Sequence, residues 1–259
     1  MKVDLHNHTL LCNHATGSVN EYVEVAIRSG IEYFGFSDHA PMHYDPKYRM
    51  SFEQMELYES WVRDAQIAYS DQITVLLGYE VDYLPGYMDE RVLMRPCDYL
   101  IGSVHFIDDW GFDNPEFIGR YEGVDINAIY ERYFTLIEEM ALSRNFDIVG
   151  HLDLLKVFKF LPTKDIRILA KNALKAIKQS DMTIEINMSG YRKPITEAYP
   201  SPLLLEAIAE FQIPITFGSD AHRSDQIALF ANEVVALART YGYYECALYS
   251  NRKREMIKF

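Results

Sequence analysis

Asp4-Leu5-His6-Asn7-His8, with His14 six residues further on, is the segment from which the rest of this chain can be read. Val3 and Leu5 make a short apolar strand, and period-two alternation puts His6 and His8 on one face. Neutral imidazole is a common metal donor, so two of them at one strand end point to cation binding. A lone His-x-His can equally be two polar residues on a wet edge strand. What separates the two readings is whether other strands end in the same way.

They do. Tyr33-Phe34-Gly35-Phe36-Ser37 reads as a strand running to Asp38-His39, and residues 73–78 as one running to Glu80. Residues 98–103 lead to His105, 147–150 to His151, 183–186 to Asn187, and 214–218 to Asp220 and His222. Amphipathic helices are predicted between them. The first is opened by a capping box at Ser18 and Glu21. Others cover 52–69 and 127–144, and one is capped by Thr163 with a face of Ile166, Leu169, Ala170, Ala173, Leu174 and Ile177. Ser201-Pro202 opens another, and the last covers 225–241. A long loop carries Trp110, Phe112 and Phe117, and 245–249 reads as a strand remnant. Seven strand-to-helix units without a linker or repeat predict an α/β fold: one domain over 1–259, a distorted seven-stranded (β/α)7 TIM-like barrel. A doubly wound open sheet is the competing architecture.

The totals narrow the function. A net charge of −13 disfavours nucleic acid and anionic membrane surfaces as partners. No apolar run is long enough to span a membrane. Cys12, Cys97 and Cys246 lie far apart, which fits buried thiols in a reducing cytoplasm better than a disulfide framework. No secretory leader is visible, and cleaving one would remove His6 and His8.

Seven of the eight histidines fall at or just past a predicted strand end: His6, His8, His14, His39, His105, His151 and His222. Glu80 and Asp220 do the same. In a parallel barrel those ends share one face, so the residues should converge. Nine nitrogen and oxygen donors exceed what one ion takes, so two to three divalent ions are expected, with zinc, manganese or iron suiting the donor set. His43, on the loop past Pro41, lacks this placement and reads as a surface residue.

Asp4-Leu5-His6-Asn7-His8, Ser37-Asp38-His39, Gly102-Ser103-Val104-His105, Gly150-His151-Leu152-Asp153 and Gly218-Ser219-Asp220-Ala221-His222 resemble the motifs of the PHP superfamily (polymerase and histidinol phosphatase). Within it, Glu185 to Lys193 and Trp110-Gly111-Phe112-Asp113 resemble the monofunctional histidinol-phosphatases. The resemblance implies that His6, His8, Glu80 and Asp220 hold one metal. Glu80 would bridge to a second on His105 and His151, and His14, His39 and His222 would hold a third. Asp38 would handle protons or orient a neighbouring histidine, and Arg192 would clamp phosphate with its planar fork. Asn187, Ser189 and Glu116 are the further substrate-binding candidates, with Lys156 and Lys193 weaker ones. The implied reaction is hydrolysis of a small phosphate monoester, L-histidinol phosphate, with a hydroxide shared between two metals attacking phosphorus in line. Metals suit the task, because a positioned acid or base alone supplies only about 10²–10⁴-fold, and monoester hydrolysis can need an enhancement near ~10²¹. The alternatives are another PHP phosphoesterase (a protein-tyrosine phosphatase or DNA exonuclease), amidohydrolase-type amide hydrolysis, and a non-catalytic metal-binding module.

Overall fold

Short β-branched and aromatic runs buried on both faces alternate with one-faced helices throughout the chain, and the computed structural model describes all residues, 1–259. In chain order the elements are β1 (Val3–Asp4), α1 (Val19–Arg28), β2 (Tyr33–His39), α2 (Met55–Ala68), β3 (Thr74–Asp82), a one-turn α3 (Glu90–Leu93) and β4 (Tyr99–Ser103). A hairpin of β5 (Phe106–Ile107) and β6 (Trp110–Gly111) follows, then α4 (Ile126–Ser143), β7 (Ile148–Val149), α5 (Ile166–Gln179), β8 (Thr183–Asn187), α6 (Pro202–Glu210), β9 (Ile215–Gly218) and α7 (Ala231–Thr240). The chain finishes in β10 (Glu245–Ser250) and β11 (Lys253–Lys258).

Seven strands form one parallel sheet in the order β1-β2-β3-β4-β7-β8-β9. Its two ends meet. Leu5 N–H donates to Phe217 O at 2.9 Å, Asp220 N–H to His6 O at 2.7 Å, and His8 N–H to Ala221 O at 3.0 Å. An open doubly wound sheet would leave two edges; here β9 returns to β1 and the barrel closes. The buried apolar residues form one main cluster of 70, as a single domain requires. Tyr99 crosses the barrel interior, and its hydroxyl donates to Leu5 O at 2.6 Å. Side chains at Gly35 or Gly78 would overlap its ring, so both positions need glycine.

Several local expectations shift. Ser18 does cap α1, accepting Glu21 N–H at 3.2 Å, but Glu21 turns its own carboxylate to Ser224 instead of closing a box. The cap of α5 is Asp165, not Thr163; Asp165 accepts Arg167 N–H at 2.9 Å, while Thr163 accepts from the Asn127 amide at the start of α4. Aspartate directly beside the first helical residue outcompetes a threonine two positions earlier. Pro202 is the first helical residue of α6 as expected, but the Ser201 side chain makes no cap. The helix read over 225–241 is interrupted. A 3-10 turn spans Ser224–Gln226, Ala228 sits at φ +55°, and only Ala231–Thr240 is α-helical. The break folds this segment onto the barrel mouth: Ser219 Oγ accepts Ala228 N–H at 2.8 Å and Gln226 Oε1 accepts His222 N–H at 2.9 Å.

The loop with Trp110 and Phe112 is a compact hairpin in which both rings are buried, followed by a 3-10 segment, Pro115–Tyr121. The strand remnant at 245–249 does not join the barrel. It pairs antiparallel with β11 and lies under the strands' starting ends. There Thr216 Oγ1 donates to Ala247 O at 2.9 Å, and the Tyr249 hydroxyl donates to Asp147 O at 3.1 Å. No helix is long and apolar enough to cross a membrane.

Candidate metal centre

The chain leaves β1 still extended, so His6 and His8 project the same way, with ring centroids 5.1 Å apart and both side chains fully buried. Glu80 reaches up beside them from β3. Its Oε2 lies 2.8 Å from His39 Nδ1, 3.4 Å from His6 Nε2 and 3.7 Å from His8 Nε2. Its Oε1 lies 2.8 Å from His151 Nε2 and 3.6 Å from His105 Nε2, and accepts from the Ser103 hydroxyl at 2.7 Å. One buried carboxylate thus faces five imidazoles from four strand ends. Asp220 Oδ1 adds a second acid, 3.2 Å from His8 Nε2, 4.0 Å from His6 Nε2 and 3.6 Å from His222 Nδ1. His14, His39 and His222 bring their ring nitrogens within 4.8 Å of one another on the outer side.

Charge follows this geometry. Burial pushes Glu80 and Asp220 up, but the surrounding imidazoles, His39 and His6 foremost, hold both well below the usual carboxylate range. Burial also disfavours a charged His8 or His105. The acids win, Asp220 and Asp38 raising His8 to about 9, and Asp82 and Glu80 raising His105 to about 10. His39 and His222 go the other way: burial, reinforced by the neighbouring His8, lowers His39 to about 4 and His222 well below its ordinary value. Three buried ring nitrogens of the cluster make no hydrogen bond: His6 Nε2, His8 Nε2 and His222 Nε2. Buried polar atoms are normally paired, and orphans of this type around one point fit the nitrogen and oxygen donor set of a divalent cation.

Behind the cluster stand three carboxylates. Glu185 Oε1 accepts from His6 Nδ1 at 2.7 Å, Asp38 Oδ1 faces His8 Nδ1 at 3.4 Å, and Asp82 Oδ1 accepts from His105 Nδ1 at 2.6 Å. Arg49 in turn donates to Asp82 Oδ2 at 2.6 Å. Such partners fix the tautomer and leave Nε2 free to ligate. Sequence reasoning gave no role to Asp82 or Glu185. Strand alternation could have found both, since Asp82 shares a face with Glu80, and Glu185 with Asn187.

The cluster forms the floor of a cleft of about 660 Å³. Arg192 lines it: Nη2 donates to the carbonyls of Ser219 (2.9 Å) and Asp220 (2.8 Å), while Nη1 has no partner. Ser189 and Lys193 also line it, as do the acids Asp45, Asp109 and Asp113. Four sequence candidates sit elsewhere. Asp38 is buried behind His8, bonded to the Thr9 hydroxyl and to His39 N–H, and does not reach the cleft. Asn187 turns its amide to Glu185 and Asp220 and caps Ser189 N–H. Lys156 is buried against Glu197 at 2.6 Å and Ala198 O at 2.7 Å, because a desolvated ammonium requires acceptors on every side. Glu116 faces solvent, paired with Lys47 at 3.4 Å, and Asp113 takes the inward position on that loop. His43 is exposed, over Phe52. The Cys12 thiol lies within 4.8 Å of nitrogens of His8 and His222, a neighbour that sequence reasoning left out; burial and Asp38 hold it protonated.

The PHP domain family model matches residues 4–189. A Deinococcus radiodurans protein named "Probable histidinol-phosphatase" is 39% identical over 244 residues, covering 92% of this chain and 93% of its own. The histidinol-phosphatase of Bacillus subtilis is 29% identical over 256 residues, covering 87% of this chain and 95% of its own. Among solved structures, histidinol phosphate phosphatase from Lactococcus lactis, complexed with zinc, L-histidinol and phosphate, superposes with a TM-score of 0.79. It is 24% identical and 98% of each chain is covered.

Proposed function

The chain belongs to the PHP domain family, and on that premise we propose that it is a metal-dependent phosphatase hydrolysing L-histidinol phosphate to L-histidinol and phosphate in histidine biosynthesis. The observation that carries the reading is Glu80, a buried carboxylate on a cleft floor with five imidazoles within 3.7 Å. Relatives named for this activity match the chain nearly end to end, which supports the substrate.

Two to three divalent ions, zinc, manganese or iron, fit the donors. His6, His8, Glu80 and Asp220 would hold one, Glu80, His105 and His151 a second, and His14, His39 and His222 a third. When bound, such ions polarise phosphoryl oxygens and make water a nucleophile at neutral pH.

The chain's own residues do the rest. Arg192 is braced through Nη2 by two carbonyls, so Nη1 is free to donate to a phosphoryl oxygen without losing its anchor. Ser189 borders the same part of the cleft. Of the acids on the cleft wall, Asp109 is paired with Arg120 at 2.8 Å and Asp45 lies 3.8 Å from Arg49, so Asp113 is the carboxylate suited to the cationic amine of an amino alcohol. Asp38, Asp82 and Glu185 act from behind as positioning residues. None of the three cysteines lines the cleft, and as free thiols they suit a cytoplasmic enzyme.

A phosphate-release screen tests the assignment. Histidinol phosphate should give the highest kcat/KM against phosphotyrosine, sugar phosphates and short DNA; a higher value on any of the others replaces the substrate.

A further inference from the structure

Glu185 is the central residue of the sixth barrel strand, β8, with 1% of its surface exposed, and its two oxygens divide three donors. Oε1 accepts from His6 Nδ1 at 2.7 Å; Oε2 accepts from the main-chain N–H of His151 at 2.8 Å and from Asn187 Nδ2 at 3.0 Å. The Asn187 amide also donates to Asp220 Oδ2 at 3.3 Å, so the hold extends to a fourth residue. His6 and Glu185 are 179 positions apart, and the contact exists only because Gly218 leaves room for it. A Cβ at Gly218 would overlap both the Glu185 carboxylate and His6 Cβ.

We propose that Glu185 is a positioning residue that fixes His6 directly, and Asp220 through Asn187, as ligands of one cation, and so sets the affinity of that cation separately from the others. The argument rests on the metal-binding reading given above. A carboxylate can only accept, so His6 must donate from Nδ1, which leaves the lone pair on Nε2, the unpartnered atom 3.4 Å from Glu80. Glutamine has the same shape but one acceptor and one donor. With its oxygen toward His6, its NH₂ meets the donors of His151 and Asn187. With its oxygen toward those donors, its NH₂ forces His6 to accept at Nδ1 and carry its proton on Nε2, where the cation should bind.

The test loads metal-free protein with zinc and measures stoichiometry and affinities against a competing chelator, alongside melting of the metal-free forms. In Glu185→Gln one equivalent should bind about 10–100-fold more weakly, the scale usual for a partner behind a ligand histidine, with the other equivalents unchanged. The metal-free melting temperature should stay near wild type. Asn187→Ala, which leaves the His6 and His151 bonds in place, should weaken the same equivalent by a smaller factor. Wild-type affinities for every equivalent in Glu185→Gln overturn the proposal. So does a uniform weakening that accompanies a fall in metal-free melting temperature. If Glu185→Gln does not fold, unchanged affinities in Asn187→Ala overturn it as well. Wild-type protein that takes up no zinc would instead overturn the metal reading itself.

Discussion

His6, His8 and His105 each turn Nδ1 toward a buried carboxylate, whereas His14 and His222 turn Nδ1 toward main-chain carbonyls, Cys12 O at 2.8 Å and Asp220 O at 3.2 Å. The first group is almost wholly enclosed; His14 is exposed at the cleft edge. The same imidazole is therefore prepared in two ways within one cluster. A charged acceptor behind the ring raises its basicity and locks its tautomer, while a neutral carbonyl does the second with less of the first. On the metal-binding reading proposed above, a cation on His6, His8 or His105, the inner half, should be held more tightly than one on His14 and His222, the outer half.

Glu80→Gln strikes the inner half at its centre and should have the largest effect. Turnover should fall by on the order of 10³-fold or more, beyond the roughly 10²–10³ of losing one electrostatic donor, with one metal equivalent lost. Activity within tenfold of wild type would remove the distinction between the halves. Arg192→Ala leaves both halves intact and removes one charged hydrogen bond to phosphate. Losing about 1.5–3 kcal/mol corresponds to a ten- to hundred-fold lower kcat/KM, expressed mainly in KM. An unaltered KM would put Arg192 outside the substrate site.

Graded chelation separates the halves directly. One equivalent should leave well before the rest, and His14→Ala should weaken that equivalent alone, by roughly tenfold or more. Simultaneous release of all equivalents would mean that the two ways of backing a histidine make no difference.

The smallest expected effect is on the pH dependence of the metal-free protein. His8 and His105 titrate near 9 and 10 when folded, against about 6.5 unfolded, so their contribution to stability is complete below about pH 6.5 and is lost as pH rises through those values. Glu80 and Asp220 are depressed, so theirs is complete above about pH 4.5 and is lost on acidification. His39 and His222 are lowered by burial, so their contribution is complete only above about pH 6.5 and is lost below it. Metal-free melting should therefore peak at about pH 6.5, while zinc binding strengthens as pH rises because protons leave the same nitrogens. Thermal scans at pH 6 and 9.5 check the sign; metal-free protein more stable at the higher pH would contradict it.

Barrel topology made the gathering of histidines and acids at one face legible. Parallel strands deliver their ends to one face, so His105 and His151 could be grouped with His6 from spacing alone. The residues behind were harder to see. Alternation marks Glu185 as inward-facing, but its pairing with His6 depends on the closing of the ring and on the room left at Gly218. Lys156 shows the limit from the other side. A lysine just past the end of a barrel strand reads as a phosphate ligand until Glu197, 41 residues later, is found already holding it. The β10–β11 hairpin was visible only as a fragment, because its role lies in what it covers rather than in any pattern of its own.

Tyr99 has a consequence for traffic. With its ring laid across the interior over Gly35 and Gly78, and with β10 packed below, the barrel has no through passage. Whatever arrives at the histidines and whatever departs must share one doorway. Turnover then depends on an orderly queue: the alcohol and inorganic phosphate have to clear the mouth before the next ester can be admitted, and accumulated phosphate should act as a competitive inhibitor.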